Sequence, residues 1–169
     1  MSNYRPIANL SFISKLTEKI VKKCLLDHLT SNSLLNPFQS AYTKFYSTET
    51  TLLSLHDHLS NAISLQQVSR LCLLDLSAAF DTLDHSILLH RLSTWFGNSS
   101  VSLQWFTLYP SSRTSTVGIP PHSSASAPLT CGVPQGSVPG PVLFNLYTTP
   151  LSSLISASSL SHLLYADDT

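Results

Sequence analysis

The segment Leu71-Cys72-Leu73-Leu74-Asp75-Leu76 restricts the possible folds more than any other, because it is an apolar run interrupted by one carboxylate. It is too short and too apolar for an exposed helix, and its pattern predicts a buried strand. An unpaired charge inside such a strand costs several kcal/mol or forces a proton onto the acid. Asp75 therefore calls for a cation. A second apolar run, Leu163 to Ala166, leads directly into Asp167 and Asp168. If the fold brings the three acids together, unit charges about 4 Å apart repel by roughly 4 kcal/mol at an effective dielectric near 20 unless divalent ions lie between them. Carboxylate clusters of that kind serve two-metal phosphoryl transfer.

The rest of the chain bounds this reading. A length of 169 residues with 43% hydrophobic residues suits one domain with an ordinary core. Only 11% of residues are charged and the net charge is zero, which is a poor match to a nucleic-acid surface built on excess Lys and Arg. The charge is unevenly spread, with Lys15, Lys19, Lys22 and Lys23 on one early segment that reads as a solvated helix face. Cys24, Cys72 and Cys131 are odd in number, far apart and set among apolar neighbours, so they read as buried free thiols. Neither a signal peptide nor a membrane span is recognisable, which predicts an intracellular protein.

Apolar spacing predicts an amphipathic helix from Phe12 to Leu29, with Ile13, Leu16, Ile20 and Cys24 and, in the neighbouring slots, Val21 and Leu25 on its apolar side and Lys on the other. A second helix is predicted from Glu49 to about Leu65, capped by Ser47 or Thr48, with His56 and His58 on different faces. A third spans Ser86 to Phe96 with Asp84 near its start and Gly97-Asn98 as its stop, and a short fourth runs from Val101 to Tyr109. From Ser111 to Pro128 the chain is rich in Ser and Pro and reads as an exposed hairpin, with Thr114 to Ile119 as a strand and Pro120-Pro121 in a turn. Gly132-Val133-Pro134-Gln135-Gly136-Ser137 is loop chemistry, followed by a helix over at least Val142 to Tyr147. Pro139 and Pro141 fit its first turn, and Pro150 should end or kink it.

Three segments taken together, Leu74-Asp75-Leu76-Ser77-Ala78-Ala79-Phe80-Asp81, Gly132-Val133-Pro134-Gln135-Gly136-Ser137 and Tyr165-Ala166-Asp167-Asp168, closely resemble the palm motifs of reverse transcriptases from non-LTR (long interspersed element) retrotransposons. Two further pieces, the opening Asn3-Tyr4-Arg5-Pro6-Ile7 and the stretch Phe38-Gln39-Ser40 with Ser47-Thr48-Glu49-Thr50, resemble finger-region signatures of the same family. One short motif is weak evidence, whereas five in the right order cover essentially the whole chain.

The resemblance implies an α+β unit, reverse-transcriptase-like fingers and a partial palm, with helices packed on a small antiparallel sheet. About 1–69 would be fingers and about 70–169 palm with the inserted hairpin, in a truncated fragment lacking a thumb. It implies RNA-directed DNA polymerase activity on an RNA template and DNA primer with deoxynucleoside triphosphates. Asp75, Asp167 and Asp168 would be the catalytic carboxylates and the ligands of two Mg2+ ions bound with substrate, Asp75 and Asp167 most directly. Phe80 would close the sugar pocket, Gln135 and Gly136 would lie against nucleotide and template, Lys44 would supply a charge to the triphosphate, and Tyr165 would pack beside the primer end. Neutral charge and departures from the family pattern favour the alternative of a catalytically dead remnant that binds RNA or a protein at most. Thr43 stands where the family usually carries Arg, Pro139 stands where Leu is usual, and Thr107, Leu108 and Pro110 disturb the stretch after Trp105-Phe106.

Overall fold

The computed structural model describes residues 8, 10–111, 113–119 and 121–169, so the Asn3 to Ile7 signature and Pro120 lie outside the described residues. Five helices follow in order: α1 (Phe12–Ser31), α2 (Thr48–Ser64), α3 (His85–Thr94), α4 (Ser100–Leu108) and α5 (Gly140–Ala157). Their starts follow from cap chemistry. Ser11 accepts from the Ser14 amide, Asp84 accepts from the Ile87 amide, and Ser47 forms a reciprocal capping box with Thr50. Gly97 follows α3 with φ +64, a conformation that suits glycine.

The core lies between helices. Leu25 and Leu29 of α1 meet Leu88 and Leu92 of α3, Phe106 of α4, and Val142, Leu143 and Leu146 of α5, with Phe96, Leu83 and Val133 filling between them. Burying each of these Leu or Phe side chains contributes about 1.5–3 kcal/mol. His28 ties α1 to the end of α3 by a 2.7 Å hydrogen bond between its Nε2 and the Phe96 carbonyl.

Strand pairing is sparse and sits outside that core. Strands β1 (Thr114–Ser115) and β4 (Ala127–Pro128) pair antiparallel, and β2 (Gly118–Ile119) and β3 (His122–Ser123) pair antiparallel inside them. This is the expected exposed hairpin, built as two short nested ladders. Among the described residues the remaining pairing consists of isolated bridges, so the architecture is mixed helices with small two-stranded antiparallel sheets.

Four expectations are corrected. The inward face of α1 is Glu18, Val21, Leu25 and Leu29, whereas Phe12, Ile13, Leu16, Ile20 and Cys24 are exposed. The helix carries two apolar stripes, each at helical spacing, and only one of them is covered. Leu71 to Leu76 is exposed throughout, because among the described residues the run pairs with other backbone only at the bridge to Asp168 and its neighbouring bonds. All three cysteines are free and exposed, since they stand on that uncovered run, on the uncovered stripe of α1 and on the surface before Gly132. Of the end or kink expected at Pro150, the end does not occur, and α5 continues for seven residues beyond it to Ala157.

Candidate functional site

The two acid-bearing segments do meet. Leu74 and Thr169 exchange two backbone hydrogen bonds of 2.8 Å, and the Leu76 amide donates to the Asp167 carbonyl at 3.1 Å. Between them Asp75 faces Asp168 in an antiparallel bridge. Such a non-hydrogen-bonded position brings opposed side chains closest, with Cα atoms typically about 4.5 Å apart. Asp75 is exposed, so its charge keeps its water and needs no counter-ion for burial, contrary to the expectation from its apolar neighbours.

Asp167 belongs to a two-residue hairpin turn. Tyr165 and Asp168 exchange backbone hydrogen bonds of 2.9 and 3.0 Å, and Ala166 at the first turn position takes φ +55. Gln39, buried in the preceding loop, holds this turn. Its Oε1 accepts from the Ala166 amide at 3.1 Å and from the Ala41 amide at 3.0 Å, and its Nε2 donates to the Ala166 carbonyl at 3.5 Å. Parallel pairing beside Leu164 fixes the backbone of Gln39, with Ser40 N donating to Leu164 O and Leu164 N to Phe38 O, both at 2.9 Å. Tyr42 stands beside the same turn. Partial burial raises its phenol above the ordinary value, and the charges of Asp167 and Tyr165 add to that rise.

The donor set suits a hard divalent cation, which takes oxygen ligands and completes its shell from water and phosphate. Among the described residues no three His, Cys, Asp or Glu side chains are gathered as a metal cage. The backbone juxtaposes Asp75 and Asp168, with Asp167 on the adjoining turn. A cleft of about 250 Å³ beside Asp75 is lined by Leu76, Ala79, Phe144, Tyr147 and Thr148 among others.

Gln135, Gly136 and Phe80 lie on a second pair of joined segments, and Lys44 stands apart from it. Gln135 donates from Nε2 to both carboxylate oxygens of Asp81, at 3.2 and 3.3 Å. Its loop is pressed onto the segment after Asp75 by Gly132 N to Leu83 O at 2.7 Å and Val133 N to Phe80 O at 2.8 Å. Gly132 has φ +85, and a Cβ there would lie 2.9 Å from the Asp81 carbonyl oxygen, so the approach requires glycine. Gly136 is exposed at φ +88. Phe80 is half-buried, with its ring 5.1 Å from that of Phe144. Lys44 lies over its neighbour's ring, 4.7 Å from the centroid of Phe45, and Thr43 folds its hydroxyl back onto the Gln39 and Ala41 carbonyls.

Two contributors escaped the sequence reading. Gln39 was visible only as part of a signature, and its contact with Ala166 spans 127 residues. Glu18 is 1% exposed, accepting from the Tyr109 hydroxyl and from the Val138 amide, each at 2.9 Å. Burial raises the Tyr109 phenol well above its ordinary value, and Glu18 raises it further against the opposing effect of Ser137, so it remains a donor at neutral pH. The signal for Glu18 was its place in the 18, 21, 25, 29 stripe, a charge in register with leucines.

The sequence of the whole chain, residues 1–169, matches the family described as reverse transcriptase (RNA-dependent DNA polymerase). Among curated relatives, it is 29% identical to the probable RNA-directed DNA polymerase from transposon BS of Drosophila melanogaster over 88% of this chain and 16% of that protein. It is 26% identical to the RNA-directed DNA polymerase from mobile element jockey of Drosophila funebris, over 99% of this chain and 19% of that protein. The retrovirus-related Pol polyprotein from type-1 retrotransposable element R2 of Popillia japonica is 28% identical over 99% of this chain and 24% of its own length. The chain thus spans about a quarter or less of the length of these relatives. No helix among the described residues is long and apolar enough to cross a membrane. With its motif segments paired as described and the match covering every residue, this chain belongs to the reverse transcriptase family.

Proposed function

We propose that this chain supplies the carboxylate centre of an RNA-directed DNA polymerase, transferring nucleotides to a primer 3′-hydroxyl. The observation that carries the reading is the antiparallel bridge between Asp75 and Asp168. Two segments more than ninety positions apart in sequence meet at their acids, which separates this arrangement from an accidental pair of motifs. Asp75, Asp167 and Asp168 are the catalytic acids in this reading, binding Mg2+ together with the incoming triphosphate. When bound, Mg2+ lowers the pKa of the attacking hydroxyl and offsets the charge of the reacting phosphates.

The chain's own residues position the partners. Residues 1–69 act as fingers and 70–169 as palm, with the β1–β4 hairpin as an inserted part of the fingers. Gln135, oriented by Asp81, and Gly136 lie against nucleotide and template, where an exposed backbone at positive φ allows close approach. Phe80 stands at the sugar side, propped by Phe144. Lys44 supplies a point charge to the triphosphate in place of an Arg fork.

Primer extension on an RNA template, with deoxynucleoside triphosphates and Mg2+, tests the reading directly. Extension should fall at least about a hundredfold in Asp75→Asn, as removal of a charge-stabilising catalytic group does. Extension that is unchanged in that variant would overturn the assignment of Asp75.

Thr43, with its hydroxyl turned back into its own loop, supports a second reading, a remnant that binds nucleic acid without catalysis. A wild-type chain that extends no primer but binds an RNA duplex with a steep salt dependence would establish this second reading.

A further inference from the structure

The loop that carries Gln39 does more than mark the fingers. We propose that Gln39 is a positioning residue that sets the acidic turn, its carboxamide gripping the Ala166 peptide so that Asp167 and Asp168 are held at a fixed angle to Asp75. The inference rests on the carboxylate reading above, but its evidence is independent of that reading.

Ala166 is an L-residue at φ +55, a conformation less favourable for it than for glycine. Gln39 restrains both polar atoms of the residue, accepting from its N–H at 3.1 Å and donating toward its C=O at 3.5 Å. Only a primary amide of this length can do both while its oxygen also takes a second donor, here the Ala41 amide at 3.0 Å. The side chain is 6% exposed, so water does not compete for these bonds. Its own backbone is pinned by the Leu164 bridge, two residues before Ala166, so clamp and turn share one frame. The bond to Ala41 extends that frame into the loop where Tyr42, also left-handed at φ +60, stands beside Asp167. Asp75 reaches the same frame from the other side through the Leu74–Thr169 pair.

The test compares Gln39→Met, an apolar isostere, with Gln39→Glu, which keeps both accepted bonds. Amide hydrogen exchange on the whole chain should show Ala166 exchanging about tenfold faster in Gln39→Met, while Leu164, bonded to Phe38, keeps its protection. Gln39→Glu should retain most of the protection at Ala166. Unchanged exchange at Ala166 in Gln39→Met overturns the proposal, and so does equal loosening of Leu164. If Gln39→Met does not fold, Gln39→Asn, one carbon too short to reach, gives the same comparison.

Mn2+ with deoxynucleoside triphosphate, read by paramagnetic broadening, reports on the wider reading. Broadening at Asp75, Asp167 and Asp168 that needs about tenfold more Mn2+ in Gln39→Met, and is rescued in Gln39→Glu, supports the positioning role. Unchanged Mn2+ affinity beside a loosened turn overturns it. A wild-type chain with no broadening at these acids would sink the carboxylate reading, and exchange at Ala166 would still decide whether the clamp exists.

Discussion

The helical end of the molecule and its acidic edge are held together by different forces. Around α3 and α5 the side chains do the work, with Leu83, Leu88, Leu92, Phe96 and Leu143 almost wholly buried. Around Asp75 the side chains contribute little. Leu71, Leu73 and Leu74 are exposed, α2 buries none of its residues, and the acids are brought together by a few backbone hydrogen bonds and one buried amide. The reverse transcriptase motifs thus divide between a packed assembly, where Gln135 meets Asp81, and an unpacked one, where Asp75 meets Asp168. Burial gives the first its stability, whereas the second takes its geometry from directional bonds, which orient groups without contributing much net free energy.

Leucine truncation is the strongest way to break this contrast. Leu92→Ala should destabilise the fold by about 2–5 kcal/mol, because a fully buried side chain leaves a cavity. Leu73→Ala, at a site 77% exposed, should change stability by no more than about 0.5 kcal/mol. Urea denaturation of both variants measures the difference, and similar losses would mean that the acidic edge is packed after all.

A smaller effect sharpens the boundary between the two regions. Gly132→Ala should cost on the order of 1–3 kcal/mol, since it combines an unfavourable φ with a Cβ pressed on the Asp81 carbonyl. Thermal unfolding reads that loss. A neutral result would show that the 132–137 loop is free to lift off the segment after Asp75.

The smallest effect concerns the cap that begins the packed region. Hydrogen bonds from the Ser86 hydroxyl and the Ile87 amide hold the Asp84 carboxyl below its usual pKa. A depressed folded value means the stabilisation is complete above the ordinary Asp pKa and is lost as pH falls through the folded value. Acid titration of stability should therefore show a shallower acid limb in Asp84→Asn than in the wild type. Identical acid limbs would remove Asp84 as a contributor.

Local chemistry made the helix ends legible. Ser47, Asp84, Gly97 and the Pro139-Gly140-Pro141 start all act through groups within a few residues of themselves, and such signals need no tertiary information. The backbone bridge between Asp75 and Asp168 follows from the motifs rather than from periodicity. What escaped depended on partners distant in sequence. Apolar spacing in α1 fits two stripes equally well, and only Leu88, Leu92 and Phe106 select the one that is covered. The run from Leu71 to Leu76 reads as buried because hydrophobicity reports what a segment could bury, not whether a neighbour is there to bury it. Pro150 reads as a helix end or kink because it lacks an N–H, yet α5 passes through it, and the one helical bond that residue 150 cannot donate is the one to the Leu146 carbonyl.

The carboxylate of Glu18 has a consequence for how this molecule comes apart. Tyr109 closes α4, Val138 opens the approach to α5, and Glu18 sits mid-way along α1, so one side chain accepts from two segments far from its own helix. Withdrawing any one of the three leaves a part-buried donor or the buried Glu18 side chain without its partner. Opening at this point is consequently concerted, and the first helix cannot fray from its middle without loosening the loop that presents Gln135.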